Sequence, residues 1–333
     1  MNDQLNKQRH NYGTAILSAF EYLLSNYSEV FIIGQGLWSP WYVGNSMTDL
    51  DTKYGVDRVI DTPVSESACT GAAVGASLSG MRPVVVQPRM DFMLYAMDAI
   101  VNQAAKWSHM LGGQANPCLT IRGIINRGGE QGAQHSQALH NWFAHVPGLR
   151  VVMPSTVSDA RDLMIASVLC NDPVVYIDDR WLYEQEDDLD PIIEMDLKTQ
   201  KPKILENGAD LTIVSSGHST LLARQASIEL NKQNISPEVI DTRVLNPFNV
   251  SPIIKSVKKT RHLLIVDPGW LSSGFSSEIL AKVVERLPVD CLLKPPKRLA
   301  LPDAPAPTSK VLEDEYYLSV NDIVSSANNI LGE

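Results

Sequence analysis

The sequence has no long apolar run and no paired cysteines. Over its 333 residues, no apolar stretch approaches the ~18 residues that a membrane-spanning helix needs. The amino-terminal segment is polar and lacks the apolar region of a secretory signal (MNDQLNKQRHNYG). The four cysteines form no CxxC pair, and each lies in or beside an apolar run, which is typical of buried free thiols in a reducing compartment. We therefore expect a cytoplasmic protein that neither spans nor binds a membrane.

Positive charge is also scarce. The chain carries 28 Lys and Arg residues against 38 Asp and Glu residues, which gives a formal net charge of -10. This excess disfavours nucleic acid and anionic membranes as main partners, because both carry dense negative charge themselves. Hydrophobic residues at 44% and charged residues at 20% are typical of a globular protein. We expect no nucleic-acid partner.

Short apolar strands alternate with helical segments along most of the chain, which predicts an α/β fold with mainly parallel sheets. Between residues 183 and 207 the sequence becomes acidic and loses its periodicity, which indicates a connector that holds a short hairpin. The predicted domains are therefore residues 1–184 and 208–333, joined by a connector at 185–207, and each is a sheet flanked by helices. Residues 95–110 are predicted to form one helix. The proline-rich segment KPPKRLALPDAPAP should cross the surface in an extended conformation.

The strongest group of candidate residues lies in IDTPVSESACTGAAVGASLSGMRPVV. A strand is predicted to end at Asp61, a turn containing Pro63 follows, and Glu66 begins a helix rich in Gly and Ala. Small residues such as Gly71 and Gly75 let this helix approach another backbone closely. An isolated glutamate in the first turn of a helix has an ordinary structural role, because its charge complements the helix dipole. The segment as a whole favours a functional role for Glu66.

IDTPVSE, the small-residue helix and GMRPVV closely resemble the pyrimidine-binding domain of thiamine-diphosphate enzymes. The resemblance is greatest to the β subunit of pyruvate and branched-chain 2-oxo acid dehydrogenases, and it continues through RVLNPF and KVLEDE into a transketolase-type C-terminal domain. It implies that Glu66 is catalytic and hydrogen-bonds N1′ of the cofactor's aminopyrimidine ring. A proton held at N1′ favours the imino tautomer of the 4′-amino group, which can then take the proton from the thiazolium carbon.

The segment QPRMDFMLYAMDAIVNQAAKW carries three further candidates. The resemblance places Phe92 where the family stacks an aromatic ring on the aminopyrimidine, since a flat apolar partner orients that ring without competing for its hydrogen bonds. It places Arg89 and Tyr95 in the surrounding substrate pocket. The alternative is that Phe92 belongs to the core, as we expect for the apolar and small positions of the predicted helix (Ala96, Ile100, Ala104 and Trp107).

A glycine-rich polar loop, INRGGEQGAQHSQ, follows a predicted strand, where α/β enzymes place ligand contacts. AQHSQ matches a motif of the family, so the resemblance implies that His135 faces the substrate. There it would bind the 2-oxo acid carboxylate or assist acyl transfer to a lipoyl-lysine, with Gln134 in the substrate pocket. His140 and His145 are expected to be structural. The five-residue spacing of the three histidines does not share a helix face, so we expect no zinc site.

One motif of these enzymes is missing. Thiamine-diphosphate enzymes hold the diphosphate through Mg²⁺ bound by a GDG motif, and the sequence contains no GDG. The resemblance therefore implies that a separate α subunit holds Mg²⁺ and the diphosphate, in an assembly of two α and two β subunits. We expect this chain to bind the pyrimidine end of thiamine diphosphate and to be inactive alone.

Two segments depart from the family pattern. Where the family has Gly-Glu-Glu after the first strand, this chain has Gly34, Gln35 and Gly36. The first of those glutamates lies near the cofactor and is associated with proton transfer between the two active sites. Gln35 is expected at the cofactor too, but an amide does not exchange a proton at neutral pH. The loop INRGGEQG also differs, and because it borders the substrate, specificity for pyruvate does not follow from the resemblance.

Three functions remain open on the sequence. The leading one is the β subunit of a 2-oxo acid dehydrogenase, which decarboxylates a 2-oxo acid and passes the acyl group to the lipoyl domain of a partner acyltransferase. A split transketolase or related carboligase would use the same paired domains without a lipoyl partner, and Gln35 and the altered loop leave it open. A non-catalytic scaffold subunit is disfavoured by the joint presence of Glu66, Phe92 and His135. AQHSQ and the C-terminal motifs favour the dehydrogenase.

Overall fold

The computed structural model describes residues 8–332. The expectation that the amino-terminal segment is not a secretory signal therefore lies partly outside the described residues, at residues 1–7. The chain divides into two compact units. The first comprises the described residues up to Asn126 together with Trp142–Gln200, and the second comprises Arg127–Asn141 and the described residues from Lys201 onward. The described part of the chain contains no helix long and apolar enough to cross a membrane.

The first unit is built around a parallel sheet. The strands of this unit are β1 (Gln8–Asn11), β2 (Val30–Gly34), β3 (Val59–Asp61), β4 (Arg82–Gln87), β5 (Thr120–Ile125), β6 (Arg150–Val152), β7 (Val174–Asp179) and β8 (Glu186–Leu189). The α-helices are α1 (Tyr12–Asn26), α2 (Pro40–Val43), α3 (Leu50–Tyr54), α4 (Glu66–Leu78), α5 (Trp107–Met110), α6 (His140–Ala144) and α7 (Val157–Leu169). The first two residues of α6, His140 and Asn141, belong to the second unit. Six strands of this unit lie side by side in the order β6-β7-β5-β4-β2-β3, and all these neighbours are parallel.

The sheet is apolar because helices cover it. β5 and β7 are buried along their whole length, as expected for parallel strands covered on both faces. α1 and α7 pack against each other. α1 begins with a capping box, in which the Asn11 and Thr14 side chains each accept a hydrogen bond from the other's backbone N–H. The short apolar strands of the sequence therefore form the interior of this unit.

One charged group lies inside this interior. The guanidinium of Arg122, on β5, donates to both carboxylate oxygens of Asp178, on β7, at 3.0 and 2.9 Å. Both side chains are fully buried. Arg122 also donates to the hydroxyls of Ser46 and Tyr183, at 2.9 and 2.7 Å. A buried ion pair of this kind is tolerated because hydrogen bonds compensate the loss of hydration.

The segment 95–110, predicted as one helix, is mostly helical but is not one continuous helix. The segment contains a 3₁₀-helix at Met90–Ala96, a π-helix at Asp98–Ala104 and the short α5. The apolar positions were predicted correctly, since Ala96, Ile100 and Ala104 are buried. The hydrogen-bond pattern changes along the segment, because in a π-helix each N–H reaches one residue further back than in an α-helix. Sequence periodicity does not distinguish these helix types.

The second unit has its own sheet. Its strands are β9 (Lys203–Glu206), β10 (Leu211–Ser215), β11 (Pro237–Asp241), β12 (Val244–Asn246), β13 (Leu263–Trp270) and β14 (Lys297–Leu301). Its helices are α8 (His218–Lys232), α9 (Ser251–Thr260), α10 (Phe275–Val284), α11 (Lys310–Tyr316) and α12 (Val320–Leu331). Five strands form one sheet in the order β14-β13-β10-β11-β9, in which β9 runs antiparallel and the other neighbours run parallel. Its core contains Ile213, Val239 and Leu264 from the sheet and Leu230 and Ile323 from the helices.

The two α/β units with mainly parallel sheets confirm the predicted fold class. The predicted hairpin in the connector is wrong, because β8 pairs with β1 and β9 pairs with β11. The proline-rich segment is extended, but it contributes β14 to the sheet rather than only crossing the surface. The domain limits at residues 184 and 208 stay a prediction, and the first unit continues to Gln200.

Candidate functional site

The carboxyl ends of β2, β3 and β4 lie at one edge of the first unit's sheet. In the parallel register, Gly34 stands opposite both Asp61 and Val86. A side chain would not fit at Gly34, since a Cβ there would lie 2.3 Å from the carbonyl oxygen of Val86. The segment after β3 is held to β2, because the Thr62 N–H donates to the Gly34 carbonyl at 2.9 Å. This edge is where parallel α/β sheets bind ligands.

A small pocket lies at this edge, between the ends of β2 and β4 and the first turn of α4. It is lined by Gln35 and Glu66 together with Gly34, Thr62, Ser65, Cys69, Val86 and Gln87. The structure therefore brings two of the sequence-predicted site residues, Gln35 and Glu66, into one pocket. Both side chains are partly buried.

Glu66 is the first residue of α4. The positive end of the helix dipole favours a carboxylate at this position. Within residues 8–332, the Glu66 carboxylate has no hydrogen-bond or ion-pair partner. A carboxylate that is half-buried and unpaired can accept a hydrogen bond from an N–H donor of a ligand, and such a bond is strengthened by the charge.

Polar contacts fix the walls of the pocket. The Asp61 carboxylate, at the end of β3, accepts a hydrogen bond from the Leu37 N–H at 3.1 Å, which holds the loop that contains Gln35. The Cys69 thiol lies 3.4 Å from the Thr62 hydroxyl. These contacts join the loop after β2, the loop after β3 and the first turns of α4 around the pocket.

Sequence reasoning missed part of the lining. Gln87 is the last residue of β4, is 4% exposed, and its amide nitrogen lies 3.5 Å from the Thr70 hydroxyl. Cys69 was interpreted only as a buried thiol. The parallel order of β2, β3 and β4 would have identified Gln87, because the ends of neighbouring parallel strands meet at one edge. That order could not be read from the sequence.

Phe92, Tyr95 and Arg89 lie together on the segment that follows β4, and this segment contacts α4. The Phe92 and Tyr95 rings stack, with their centroids 6.3 Å apart and their planes at 23°. Phe92 is partly buried, whereas Tyr95 is 71% exposed. Among the described residues, these three are not part of the small pocket's lining. They form a second group beside the helix that Glu66 begins.

Two guanidinium groups lie near each other in the first unit. The pKa of Arg89 is lowered, first by burial and then by the positive charge of Arg180, which directly follows β7. Asn126, directly after β5, accepts hydrogen bonds from Arg89 at 2.8–3.1 Å when its amide oxygen faces the guanidinium. Guanidinium groups suit carboxylate ligands, because their planar N–H donors match the two oxygens.

Gln134 and His135 belong to the second unit. Gln134 is exposed and His135 is partly buried, and the His135 N–H donates to the Gly132 carbonyl at 3.4 Å. The loop before them is fixed to α11, because the Glu130 N–H donates to the buried Glu313 carboxylate at 3.0 Å. His135 therefore follows a loop with a fixed anchor.

His140 has a structural contact, as the sequence led us to expect. Its Nε2 lies 3.0 Å from Asp267, on β13, and both side chains are buried. Asp267 also accepts hydrogen bonds from the N–H groups of Gly269 and Ser276, at 3.0 and 2.7 Å. Burial raises the pKa of Asp267, but His140 and these two N–H groups outweigh burial and lower it overall. His145 is exposed.

The residues at the sheet edge fit the pyrimidine end of thiamine diphosphate. Glu66 offers a free carboxylate for a ring N–H, and Phe92 and Tyr95 offer flat aromatic faces on the adjoining segment. Residues 8–332 contain no group of three or more His, Cys, Asp or Glu side chains arranged to hold a metal ion. The described residues at this edge therefore offer a carboxylate and aromatic faces that suit the organic ring.

Two family matches cover most of the chain. Residues 8–185 match the pyrimidine-binding domain of transketolase, and residues 200–323 match the C-terminal domain of transketolase. A split gene transketolase, described as an inactive beta4 tetramer, has a TM-score of 0.77 over 97% of this chain and 98% of that chain. At 18% sequence identity, this likeness shows the fold alone.

Relatives in sequence are more informative. The chain is 35% identical to the mitochondrial pyruvate dehydrogenase E1 component subunit beta of Drosophila melanogaster, over 96% of this chain and 88% of that protein. It is 35% identical to the acetoin:2,6-dichlorophenolindophenol oxidoreductase subunit beta of Bacillus subtilis, over 84% and 82%. The pyruvate dehydrogenase E1 component subunit beta of Rhizobium meliloti is 33% identical over 91% of this chain and 65% of that protein. These relatives favour a dehydrogenase β subunit over a split transketolase.

Proposed function

The chain belongs to the family of E1 β subunits of 2-oxo acid dehydrogenases, and from this premise we propose that it supplies the pyrimidine-binding half of a thiamine-diphosphate site. The observation that carries the proposal is the free, half-buried Glu66 carboxylate in a pocket at the carboxyl edge of a parallel sheet. The reaction is the decarboxylation of a 2-oxo acid followed by transfer of the acyl group to an electron-accepting partner. We assign ring binding to residues 1–184.

Glu66 acts on the cofactor ring by holding a proton. When bound, thiamine diphosphate supplies a nucleophilic thiazolium carbon and an electron sink. The Glu66 carboxylate would accept a hydrogen bond from the protonated N1′ of the aminopyrimidine, and its negative charge would stabilise that proton. The dipole of α4 favours a negative charge at this half-buried position. Glu66 is therefore assigned as the catalytic acid–base partner of the cofactor.

Phe92 and the guanidinium groups would orient cofactor and substrate. The Phe92 ring, stacked on Tyr95, offers a face on which the aminopyrimidine can lie. Arg89 would bind the carboxylate of the 2-oxo acid, since the nearby Arg180 adds a second positive charge that favours an anion. Tyr95 would border the same pocket. These residues position ligands and do not themselves transfer protons.

We propose His135 and Gln134 as substrate residues, as the resemblance to the family implies. An imidazole can bind a carboxylate as a cation or pass a proton during acyl transfer, which suits His135 to either role. The hydrogen bond from the Glu130 N–H to Glu313 restricts the loop that precedes His135. Gln134 is exposed and offers an amide that can donate and accept hydrogen bonds.

An α subunit is the partner that this proposal requires. Because the sequence contains no GDG motif, we assign Mg²⁺ and the diphosphate to the α subunit, in an assembly of two α and two β chains. Large apolar side chains are exposed on the first unit, including Trp41 at 72% and Val64 at 69%. On α4, Gly71 and Gly75 are exposed, and a Cβ added to either would meet no atom within 4 Å, so a partner backbone can approach closely. We propose a lipoyl-bearing acyltransferase as the acyl acceptor.

The test compares two glutamates that both lie in the first turn of a helix. Glu66→Gln removes the charge in the pocket, whereas Glu278→Gln removes the charge from the first turn of α10, outside the pocket. Both variants are co-expressed with a GDG-containing α subunit and assayed with 2-oxo acids and an artificial electron acceptor. We expect Glu66→Gln to lower kcat by about 10²-fold or more, the range for loss of acid–base catalysis, and Glu278→Gln to leave kcat unchanged. Full activity of Glu66→Gln would remove the assignment.

A further inference from the structure

The second unit contains a cavity that the proposed reaction does not use. It has a volume of about 670 Å³ and lies between β9, β11 and one face of α9. Small-molecule sites commonly have volumes of ~300–1,000 Å³, so this cavity is large enough for a metabolite. Its lining includes Lys201, Lys255 and Lys259, and none of the residues assigned to the cofactor or the 2-oxo acid.

One face of α9 forms the positive wall. Ser251, Lys255 and Lys259 are spaced four residues apart and all line the cavity. The other face of the helix is apolar, with Ile253 and Val257 fully buried. Like charges four residues apart on a helix repel each other and destabilise it. A bound anion beside Lys255 would reduce that repulsion.

The positive charge of the cavity is only partly compensated. Lys259 forms an ion pair with Glu238, whose side chain is 2% exposed. Among residues 8–332, the ammonium groups of Lys201 and Lys255 have no ion-pair or hydrogen-bond partner. The cavity therefore keeps an excess positive charge in a chain whose formal net charge is -10. A local charge opposite to that of the whole molecule favours an anionic ligand.

The polar groups of the lining indicate which anion. Lysine ammonium groups bind phosphate as point charges, whereas bidentate carboxylate recognition uses arginine. Asn207, Asn249 and the Ser251 hydroxyl also line the cavity and suit the hydroxyl groups of a polyol. Within the described residues, no aromatic side chain lines the cavity, so it offers no face for stacking a nucleobase. We propose that this cavity binds the phosphate ester of a small hydroxylated molecule, with the phosphate at Lys201 and Lys255.

The test measures binding to the full purified chain by calorimetry. The probes are inorganic phosphate, glycerol phosphate and glucose phosphate, with unphosphorylated glucose and citrate as comparison ligands. The variant is the pair Lys201→Gln and Lys255→Gln. Its control is the pair Lys203→Gln and Lys258→Gln, which removes the same charge from exposed positions on β9 and α9 that do not line the cavity. Melting temperatures verify that both variants fold.

We expect the two phosphate esters to bind more tightly than inorganic phosphate, glucose and citrate. The cavity variant should weaken their binding by about tenfold or more, because the charge-assisted hydrogen bonds that the two lysines donate together contribute at least that factor. The control variant should change it less than about twofold, since screened charges outside the cavity contribute little. The proposal is overturned if no phosphate ester binds, if citrate binds as tightly, or if both variants weaken binding equally. These outcomes do not depend on the activity proposed for Glu66.

Discussion

Glu66 and Gln35 line the same pocket, one at the first residue of α4 and the other directly after β2. The pocket therefore pairs a carboxylate with a neutral amide. The amide can donate or accept a hydrogen bond, but it cannot take up or release a proton at neutral pH. Glu66 is thus the single group of this pair that can respond to the protonation of a bound ring.

Replacing Gln35 by Glu should change the pH dependence of the α–β complex. Two carboxylates in one pocket repel each other, which raises the pKa of one of them. We expect the acid limb of the kcat profile to move to higher pH by roughly one unit in Gln35→Glu. Gln35→Met, which adds no charge, serves as the control and should keep the acid limb of the unmodified chain. If the acid limb of the kcat profile lay at the same pH in both variants, Gln35 would not face the group whose ionisation sets that limb.

The pocket illustrates what the sequence could predict. The end of a strand at Asp61 and the start of a helix at Glu66 were predicted as observed, because apolar runs and helix starts are local signals. Glu66 was predicted by motif. Gln87 was not, because its place in the pocket depends on which strands are neighbours. Glu313 could not be predicted as the anchor of Glu130, since that contact joins segments far apart in the sequence.

The buried ion pair between Arg122 and Asp178 should be essential for stability. Asp178→Asn leaves the guanidinium buried without its counter-charge, and removing one partner of such a pair costs about 3–5 kcal/mol. The free energy of unfolding from urea denaturation measures the loss. Glu186→Gln, which breaks the exposed pair of Arg9 and Glu186, is the control and should have little effect. Equal effects of the two substitutions would contradict the importance of burial.

Asp267 should make the second unit sensitive to acid. Its pKa is lower in the folded chain than in the unfolded chain, so folding is stabilised above the ordinary aspartate pKa of about 3.9. This contribution is lost as the pH falls through the lower, folded pKa, because the carboxylate must then take up a proton. Urea midpoints measured from neutral pH downward should fall less steeply in Asp267→Asn than in the unmodified chain. The exposed Asp187→Asn should keep the original slope.

Loss of the loop anchor should weaken substrate handling. Glu313→Ala removes the acceptor of the Glu130 N–H, so the loop that precedes Gln134 and His135 loses a fixed contact. We expect kcat/KM for the 2-oxo acid to fall by about tenfold, equivalent to about 1.4 kcal/mol. Protease cleavage within residues 127–136 should also become faster. Glu315→Ala, on the exposed face of α11, should change neither measurement. A loop that stays protected in Glu313→Ala would count against this anchor.

Reconstitution tests whether this chain supplies only half of an active site. This chain and a GDG-containing α subunit are purified separately and assayed alone and mixed, with thiamine diphosphate, Mg²⁺, a panel of 2-oxo acids and an artificial electron acceptor. Sugar-phosphate donors with aldehyde acceptors are assayed in parallel. We expect 2-oxo acid oxidation only by the mixture of the two chains, and no transfer to aldehydes. Turnover by this chain without the α subunit, or activity confined to the aldehyde assay, would contradict it.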